Sequence, residues 1–343
     1  MIKGGYMKKA AFFEVLDDKK VRCRLCNHNC IIAPGKRGIC GVRENQDGVL
    51  VSLVYGRLVA LSADPIEKKP LFHFLPASSS FSISTVGCNF RCLHCQNYHI
   101  SQYPHLYKGK ITGDYYSPSE VVGAAELNVC QSISYTYVEP TIFYEFAYAC
   151  AKLAKERGIK NVFVSNGYMS KEVVKELSTV LDAINIDIKA FSEKFYREVC
   201  GAKLKPVLEN VALFHELGVW VEVTTLVIPG HNDSPQELKE IALFIKDISP
   251  SIPWHVTGFY PTYKMLDVPP TPVSTLNMAR QIGLDVGLKY VYQGNRPGEG
   301  GENTYCPSCG ALLIERWGFK IVENRLIEGK CPKCGEKIDG VWK

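Results

Sequence analysis

No apolar stretch in this sequence of 343 residues reaches the roughly 20 residues that a membrane-spanning helix needs. The first twenty residues, MIKGGYMKKAAFFEVLDDKK, interrupt their apolar residues with charges and lack the apolar core of a secretory signal. We therefore expect a cytoplasmic protein without a membrane segment. Blocks of lysine and arginine are also missing, and the net charge of +5 is scattered, so nucleic-acid binding is not expected.

Cysteine, in contrast, is abundant. The sequence has 14 cysteines, but a chain of this length without a secretory signal is not a small disulfide scaffold. Eleven of them fall into three groups whose close spacing favours metal binding over disulfides. The groups are Cys23, Cys26, Cys30 and Cys40; Cys88, Cys92 and Cys95; and Cys306, Cys309, Cys331 and Cys334. The other three, Cys130, Cys150 and Cys200, lie in apolar or helical stretches and are predicted to be buried packing residues.

Between about residues 81 and 300 the sequence alternates short β-branched runs with amphipathic stretches. The runs occupy 81–86, 132–138, 161–165, 183–188, 219–228, 254–260 and 289–293. This alternation predicts an α/β domain with parallel strands and right-handed crossovers, and six or seven such units fit a partial or full (β/α) barrel. We expect a Cys-rich metal-binding unit and connector at 1–80, the barrel at 81–300, and a C-terminal zinc-ribbon-like unit at 301–343.

The central cysteine motif, STVGCNFRCLHCQN, directly follows the first predicted barrel strand. Its spacing, C-x3-C-x2-C, lets Cys88, Cys92 and Cys95 hold three corners of a [4Fe–4S] cluster, whose usual complement is four thiolates. The fourth iron is then open to another ligand. A zinc knuckle or three buried thiols are the alternatives, but C-x3-C is unusual for zinc and a fourth ligand is missing nearby.

The segment GCNFRCLHCQN resembles the signature of radical S-adenosylmethionine (SAM) enzymes, in the subgroup of pyruvate formate-lyase activating enzymes. The wider text, including DPIEKKPLFHFLP, YTYVEPTIF, VSNGY, INIDIKAF and GNRPGEGGENTYCPSCG, resembles the AmmeMemoRadiSam system radical SAM enzymes from about Cys23 to Trp342. The resemblance implies a SAM-binding radical SAM barrel. It also implies that an electron from the reduced cluster cleaves SAM to methionine and a 5′-deoxyadenosyl radical, which abstracts a hydrogen atom from a metabolite or protein.

The same resemblance implies a set of SAM contacts at the ends of the first four barrel strands. These residues are His94, Asn97, Tyr137, Glu139, Ser165, Asn166, Asp187 and Lys189. Lys189 supplies a cation for the methionine carboxylate, and Asp187 supplies an acceptor for hydroxyl groups. Two positions depart from the pattern: His94 stands where an aromatic residue usually packs on adenine, and Thr224 stands where activating enzymes have a basic residue.

The two flanking cysteine groups have different patterns. Cys306, Cys309, Cys331 and Cys334 form two CPxCG knuckles, the pattern of a zinc ribbon. Zinc is predicted there, with iron as the alternative because soft thiolates accept both. The N-terminal quartet of Cys23, Cys26, Cys30 and Cys40 fits zinc or an auxiliary iron–sulfur cluster, and His28 is an alternative ligand.

The substrate side has fewer signals. The connector DPIEKKPLFHFLP, residues 64–76, mixes charges and aromatic rings closely. We therefore expect it to cross the barrel mouth, to line the substrate cavity and to be fixed there as a lid by the N-terminal quartet. We expect the C-terminal unit to close the side of the barrel or to dock a partner. His255 is expected at the end of the sixth strand, facing the mouth, and with Tyr263 it is the candidate for substrate contact.

Three functions compete for this sequence. The leading hypothesis is an anaerobic, oxidoreductase-type radical SAM enzyme with an unidentified substrate. It would receive electrons from a ferredoxin- or flavodoxin-type donor, and the family resemblance names Memo-like and AMMECR1-like proteins as its companions. The first alternative is an activating enzyme that installs a glycyl radical on a partner protein. The second is a non-catalytic iron–sulfur or zinc-ribbon binding protein, although an open cluster corner would serve no purpose in it.

Overall fold

The computed structural model describes residues 7–296, 298 and 300–343. The first six residues of the predicted N-terminal unit, and Pro297 and Glu299 of the GNRPGEGG segment, lie outside the described residues.

The strands, in chain order, are β1 (Lys8–Lys9), β2 (Phe13–Val15), β3 (Val21–Cys23), β4 (Ile31–Ile32), β5 (Arg43–Gln46), β6 (Val49–Ser52), β7 (Arg57–Leu58), β8 (Ala60–Pro65), β9 (Ser79–Ser84), β10 (Asp114–Tyr115), β11 (Ser132–Tyr135), β12 (Lys160–Ser165), β13 (Ala183–Asp187), β14 (Trp220–Val227), β15 (Trp254–Gly258), β16 (Val291–Gly294), β17 (Thr304–Tyr305), β18 (Leu312–Trp317) and β19 (Lys320–Asn324).

The α-helices are α1 (Tyr98–Ser101), α2 (Tyr103–Leu106), α3 (Pro118–Leu127), α4 (Tyr144–Glu156), α5 (Lys171–Leu177), α6 (Glu193–Phe195), α7 (Lys205–Glu216), α8 (Pro235–Ile248) and α9 (Val273–Asp285). Short 3₁₀ segments lie at Asp17–Lys19, Ile66–Lys68 and Pro140–Phe143, and a π-helical turn lies at Tyr196–Cys200.

Eight strands form one large sheet in the order β16-β15-β14-β13-β12-β11-β9-β8. The seven strands from β9 to β16 in this sheet are parallel, and they coincide with the seven predicted β-branched runs. A helix follows each of the first six, which confirms the predicted α/β fold with a radical SAM-type (β/α) barrel. Over the described residues β8 and β16 do not pair, so the barrel is open. The division expected at residue 80 falls inside β9.

The connector occupies the opposite end of the barrel from the one expected. β8 runs antiparallel to β9, with Pro65 opposite Ser79, so the chain leaves β8 at the amino ends of the parallel strands. There the backbone N–H groups of Phe72 and His73 donate to Glu222 near the start of β14, at 3.0 and 2.8 Å. The connector is therefore a floor of the barrel, and its expected position as a lid over the mouth is wrong. An antiparallel edge strand explains the difference, because it reverses the direction of entry.

The C-terminal unit covers the open edge of the sheet. It is a three-stranded antiparallel sheet of β17, β18 and β19 that carries the four C-terminal cysteines. Tyr292 of β16 hydrogen-bonds Thr304 at 2.9 Å, and Arg316 of β18 donates to the Phe72 carbonyl at 3.0 Å while its guanidinium lies 4.3 Å from the Phe72 ring. The end of the chain then pairs with the floor, where Val341 donates to the His73 carbonyl at 2.7 Å.

The N-terminal unit packs at the other end, against the loops that follow the barrel strands. Asn27 donates to the carbonyl of Met169, after β12, at 2.7 Å, and Cys26 forms an isolated bridge with the same residue. His28 Nε2 lies 2.7 Å from the carbonyl of Asn89, next to the central cysteines. The N-terminal quartet therefore supports the cluster loop and not the connector, contrary to expectation.

The buried His73 predicts acid sensitivity of the floor. Its Nδ1 lies 2.6 Å from the Asp339 carbonyl and its Nε2 lies 2.5 Å from the Tyr292 hydroxyl. Burial lowers the pKa of His73 to about 4, against roughly 6.5 in an unfolded chain. The unfolded state therefore binds the proton first as pH falls, and stability present above pH 6.5 is lost between about pH 6.5 and 4. The loss is on the order of 3 kcal/mol.

Urea denaturation at pH 7, 5.5 and 4.5 checks this expectation. His73→Gln should lower the free energy of unfolding at pH 7 yet flatten its pH dependence relative to the wild type. His215→Gln, at an exposed position on α7, serves as the control and should keep the wild-type slope. Parallel slopes in the wild type and His73→Gln would contradict the assignment of this acid sensitivity to His73.

Candidate active site

The central cysteines lie on the loop after β9, at the carboxyl ends of the parallel strands. Cys88, Cys92 and Cys95 all line one cavity of about 460 Å³ inside the barrel. Backbone hydrogen bonds hold the loop against the π-helical turn. The N–H groups of Arg91 and Leu93 donate to the carbonyls of Cys200 and Val199 in that turn, at 2.9 and 3.0 Å. The thiols are therefore held in one cavity by a rigid support.

The surroundings of the three thiols favour their protonated form. Burial, followed by the charge of Glu139, raises the pKa of Cys88 well above its ordinary value. For Cys92 the neighbouring thiol of Cys200 and burial both raise the pKa. Cys95 lies 3.2 Å from the Ser101 hydroxyl, and burial raises its pKa as well. Without iron these thiols stay protonated, so cluster binding must release protons.

All eight predicted SAM contacts line the same cavity as the three cysteines. They are His94, Asn97, Tyr137, Glu139, Ser165, Asn166, Asp187 and Lys189. They come together because each follows or ends a parallel strand, and the carboxyl ends of such strands meet at one end of a barrel. Thr224, the departure from the activating-enzyme pattern, also lines the cavity and donates to Asn185 Oδ1 at 2.9 Å.

Glu139 is committed to bonds within the protein. Its carboxylate accepts from the Asn166 backbone N–H at 2.7 Å, the Ser165 hydroxyl at 2.9 Å and the Thr141 hydroxyl at 2.5 Å. Burial raises its pKa although these bonds oppose the rise. Glu139 therefore joins the ends of β11 and β12 and fixes the Ser165–Asn166 pair at the cavity wall.

Asp187 and Lys189 form an ion pair that faces the cavity. The Lys189 Nζ lies 3.0 Å from Asp187 Oδ2, and neither side chain is more than a third exposed. Burial lowers the pKa of Lys189, but the charge of Asp187 and the neighbouring thiols outweigh it and raise that pKa overall. The pair offers one fixed positive and one fixed negative group to a ligand that carries both a carboxylate and hydroxyls.

Tyr137 links the cluster loop to the connector. Its backbone has a φ of 65°, a left-handed conformation that is unfavourable for a residue with a Cβ and is typical of functional sites. Its carbonyl accepts from Asn97 Nδ2 at 2.8 Å, and its hydroxyl donates to Asp64 at 2.6 Å. Asp64 in turn pairs with Lys68 and Lys69, both at 2.8 Å. Asn97 therefore positions the end of β11 beside the cysteines.

His94 provides the test of whether SAM fits here. Only 3% of this residue is exposed, and both ring nitrogens lack a hydrogen-bond partner among the described residues. Burial lowers its pKa to about 3, so the ring is neutral near pH 7. A buried imidazole without partners is costly, and a ligand with hydrogen-bonding groups and a flat ring, such as adenine, relieves that cost. The residues present therefore fit SAM.

His255 lies at the floor of the cavity and not at its mouth. It is the second residue of β15, it is 2% exposed, and it lines the cavity. Its Nε2 lies 2.6 Å from Glu222 Oε2. The expected position at the end of the strand is wrong, because β15 begins at Trp254. Tyr263 is not among the cavity residues and instead stacks on Tyr98 at 4.6 Å.

Three residues of this region escaped sequence reasoning. Glu222 is fully buried and holds both the connector and His255; a single carboxylate within the apolar run VWVEVTT was the available signal. Cys200 lies beside Cys92. The spacing of the cysteines in the sequence does not indicate this contact, because a π-helical turn brings Cys200 to that place. Phe319, in the turn between β18 and β19, lines the cavity although the side chain belongs to the C-terminal unit.

The C-terminal cysteines form a compact group. The sulfur atoms of Cys306 and Cys334 are 3.6 Å apart, those of Cys309 and Cys331 are 3.7 Å apart, and all four lie within 4.8 Å of one another. Four thiolates bound to one zinc ion with Zn–S bonds of about 2.3 Å have sulfur atoms about 3.8 Å apart. The spacing therefore suits a single ion.

Comparison with known proteins decides the family. The model of the radical SAM superfamily matches residues 82–245, which include the cluster loop and the first five parallel strands. The chain belongs to the radical SAM superfamily. The radical SAM domain binds a [4Fe–4S] cluster and SAM, and the cavity described above has the groups to hold them.

Relatives extend the likeness beyond this domain. An uncharacterised protein of Methanocaldococcus jannaschii is 51% identical over 97% of this chain and 99% of its own length. A second protein of that organism, provisionally named a glycyl-radical enzyme activating enzyme, is 24% identical over 68% of this chain and 84% of its own length. Among solved structures, a radical SAM methyltransferase from Sphaerobacter thermophilus has a TM-score of 0.51 at 15% identity, covering 70% of this chain and 71% of that one.

None of the helices in the described residues is both long and apolar enough to cross a membrane.

We predict that the Asp187–Lys189 pair contributes to SAM affinity in this radical SAM domain. Asp187→Asn and Lys189→Met should each weaken SAM binding by about 1.5–3 kcal/mol, because each removes a charge-assisted contact. This corresponds to a rise in Kd of roughly 10- to 150-fold, measurable by calorimetric titration of the reconstituted protein. Lys160→Met removes a similar, partly buried pair with Asp182 outside the cavity and should leave the Kd unchanged. Wild-type affinity in both cavity variants would show that the pair is only structural.

Proposed function

We propose that the protein is an enzyme that reductively cleaves SAM and abstracts a hydrogen atom from an organic substrate bound in the barrel cavity. One observation carries this proposal: the three cluster thiols, the eight strand-end residues and a polar floor share a single cavity. A zinc knuckle or a non-catalytic cluster protein has no use for such a cavity beside an incompletely ligated cluster.

Different residues of the chain would bind the cluster, the polar groups of SAM and the adenine. Cys88, Cys92 and Cys95 would hold the cluster, and Asp187 with Lys189 would bind the polar groups of SAM. His94, neutral and without a partner, would contact the adenine. When bound, the reduced cluster and SAM supply a 5′-deoxyadenosyl radical for hydrogen abstraction.

The lower half of the cavity is the proposed substrate side. His255 has its ring fixed by Glu222, which also ties down the connector. Such a buried, oriented imidazole holds or moves a proton at its free nitrogen while the Glu222 carboxylate keeps the ring in place. Phe72 lines the same cavity and is only 4% exposed, and its apolar ring excludes water from this part of the cavity.

Around this centre we propose a structural zinc ion at the C-terminal cysteines and a one-electron donor of the ferredoxin or flavodoxin type as a partner. The zinc proposal rests on the close spacing of the four sulfur atoms. The donor follows from the reductant that radical SAM enzymes need. The resemblance to the AmmeMemoRadiSam family supports Memo-like and AMMECR1-like proteins as companions.

The direct test is product analysis under anaerobic conditions. Reconstituted protein with SAM and dithionite should release 5′-deoxyadenosine and methionine in equal amounts, because the same bond cleavage yields both. Chromatography and mass spectrometry measure the two products, and protein without reductant is the control. Formation of another SAM product, or none in protein with an intact cluster, would refute the proposal.

The activating-enzyme function stays a second candidate because a relative carries that provisional name. If this chain installs a glycyl radical, a candidate partner protein mixed with it, SAM and reductant should develop a persistent organic radical signal in electron paramagnetic resonance (EPR). If the substrate is a small molecule, its addition alone should accelerate formation of 5′-deoxyadenosine. The two outcomes separate the candidates.

A further inference from the structure

The N-terminal quartet differs from the C-terminal one in how far apart its sulfur atoms lie. In the C-terminal quartet all four sulfurs lie within 4.8 Å of one another. Throughout the described ranges, no three thiols of Cys23, Cys26, Cys30 and Cys40 meet that limit. The four nevertheless line one cavity together, so they surround a common space without the close packing of the C-terminal quartet.

The cysteines that hold the catalytic cluster show the same spread arrangement. Cys88, Cys92 and Cys95 also line one cavity, and in the described part of the chain their three sulfurs too do not all lie within 4.8 Å of one another. Thiolates on a [4Fe–4S] cluster bind different corner irons and so stand farther apart than thiolates on one ion. Within one protein, the quartet therefore resembles the cluster triad and differs from the single-ion site.

Buried donors point to the same kind of occupant. Arg43 is 1% exposed and lines the quartet cavity, yet its Nε and Nη1 have no hydrogen-bond partner among the described residues. The same holds for Nδ2 of Asn89, which is also 1% exposed. Buried donors of this kind need acceptors. The charge of Arg43 is already paired with Glu145 at 3.0 Å, but the inorganic sulfides and thiolates of a cluster would supply the missing acceptors for the donors of both residues.

The ligand set is complete with the four thiols. His28 also lines the cavity, where its Nε2 bonds the Asn89 carbonyl at 2.7 Å, but Cys23, Cys26, Cys30 and Cys40 make a full set of ligands without it. Four thiolates are the usual complement of a [4Fe–4S] cluster. Every iron would then be ligated by protein, so this site offers no corner for SAM.

The quartet is separated from the catalytic cysteines by one layer of backbone. Asn89, which lines the quartet cavity, follows Cys88 directly. Gly87 precedes Cys88, and a Cβ at Gly87 would lie only 2.8 Å from the Cys40 carbonyl oxygen and 2.6 Å from Val42. Its φ of 97° also requires glycine. The two sites are therefore in direct contact through this loop.

We infer that Cys23, Cys26, Cys30 and Cys40 hold a second, fully protein-ligated [4Fe–4S] cluster beside the SAM cluster, and not zinc. This inference does not need SAM cleavage, because metal content and EPR report it in protein that lacks the SAM cluster. Its failure is therefore distinguishable from failure of the proposed function.

The test uses the full chain with Cys88, Cys92 and Cys95 replaced by Ala, reconstituted anaerobically with iron and sulfide. This variant should retain about four iron and four sulfide per chain, and its reduced EPR signal should not change when SAM is added. Adding Cys26→Ser and Cys30→Ser should remove that iron and that signal. Cys130→Ser, which alters a buried thiol outside all three groups, is the matched control and should retain both.

The iron and zinc content of the wild-type protein tests the inference without any variant. We expect about eight iron and one zinc per chain. About four iron and two zinc in the wild type, or zinc in place of iron in the triple variant, would overturn the inference. Iron retained in the triple variant with a signal that shifts on SAM addition would also overturn it, because a fully ligated cluster has no open corner.

Discussion

Replacement of Cys88, Cys92 and Cys95 together by Ala should abolish formation of 5′-deoxyadenosine from SAM. The wild-type reduced protein should show an EPR signal that changes on SAM addition, because the fourth iron gains ligands, and the variant should lack that change. The effect is expected to be complete, since no residue of the chain can supply the electron or cleave the sulfonium bond without the cluster. EPR with and without SAM, together with chromatographic assay of 5′-deoxyadenosine, measures it.

The neighbouring thiol provides the control for this experiment. Cys200 is fully buried beside Cys92 and is not part of the three-cysteine motif. Cys200→Ser should therefore keep the SAM-dependent change and the cleavage activity. Any signal left in the triple variant should come from the N-terminal quartet and be insensitive to SAM. A SAM-responsive signal in the triple variant would refute the assignment of the cluster ligands.

Loss of the C-terminal metal should unfold the unit that closes the side of the barrel. Cys306→Ser with Cys331→Ser removes one ligand from each knuckle, and structural zinc sites contribute roughly 10–16 kcal/mol of binding free energy that is also folding free energy. We expect loss of about one zinc per chain and rapid proteolysis after Tyr305. We also expect a fall in Tm of about 10 °C or more, because the contacts of Arg316 and Val341 with the connector are lost too.

Elemental analysis, limited proteolysis with mass spectrometry and differential scanning calorimetry check these three effects. Cys150→Ser, a change at a buried thiol of α4, is the control for removal of a thiol and should keep the zinc and the resistance to proteolysis. Iron at the C-terminal site would change the metal assignment but not the expected unfolding. A double variant with an intact C-terminal unit would contradict the structural role of the metal.

Much of the fold could be predicted because local sequence and tertiary position agree. Runs such as NVFVS and AINIDI are rich in the β-branched and aromatic residues that favour strands, and the structure places strands there. The proximity of the proposed SAM contacts could also be predicted from their position at the strand ends. A residue such as Asn166 or Lys189 that ends a parallel strand must face the same end of the barrel as the others.

The floor of the cavity could not be predicted in this way. Its position depends on β8 being antiparallel, and a strand's direction is set by its partner and not by its own residues. His255 was misplaced because the strand boundary lies at Trp254, and boundaries are the least reliable part of a sequence-based prediction. The contact between Cys200 and Cys92 depends on a π-helical turn, which leaves no pattern in the sequence.

The pairing of the chain end with the connector has a consequence for synthesis. Val341 bonds the backbone of His73 and Leu75, and Asp339 bonds the ring of His73. During translation the barrel strands emerge long before these partners do, so a nascent chain can form the cluster loop while its cavity is still open below. Asp339 and Val341 complete the floor only after the barrel strands have been synthesised, and they thereby determine when the interior of the barrel is closed off from the surrounding solution.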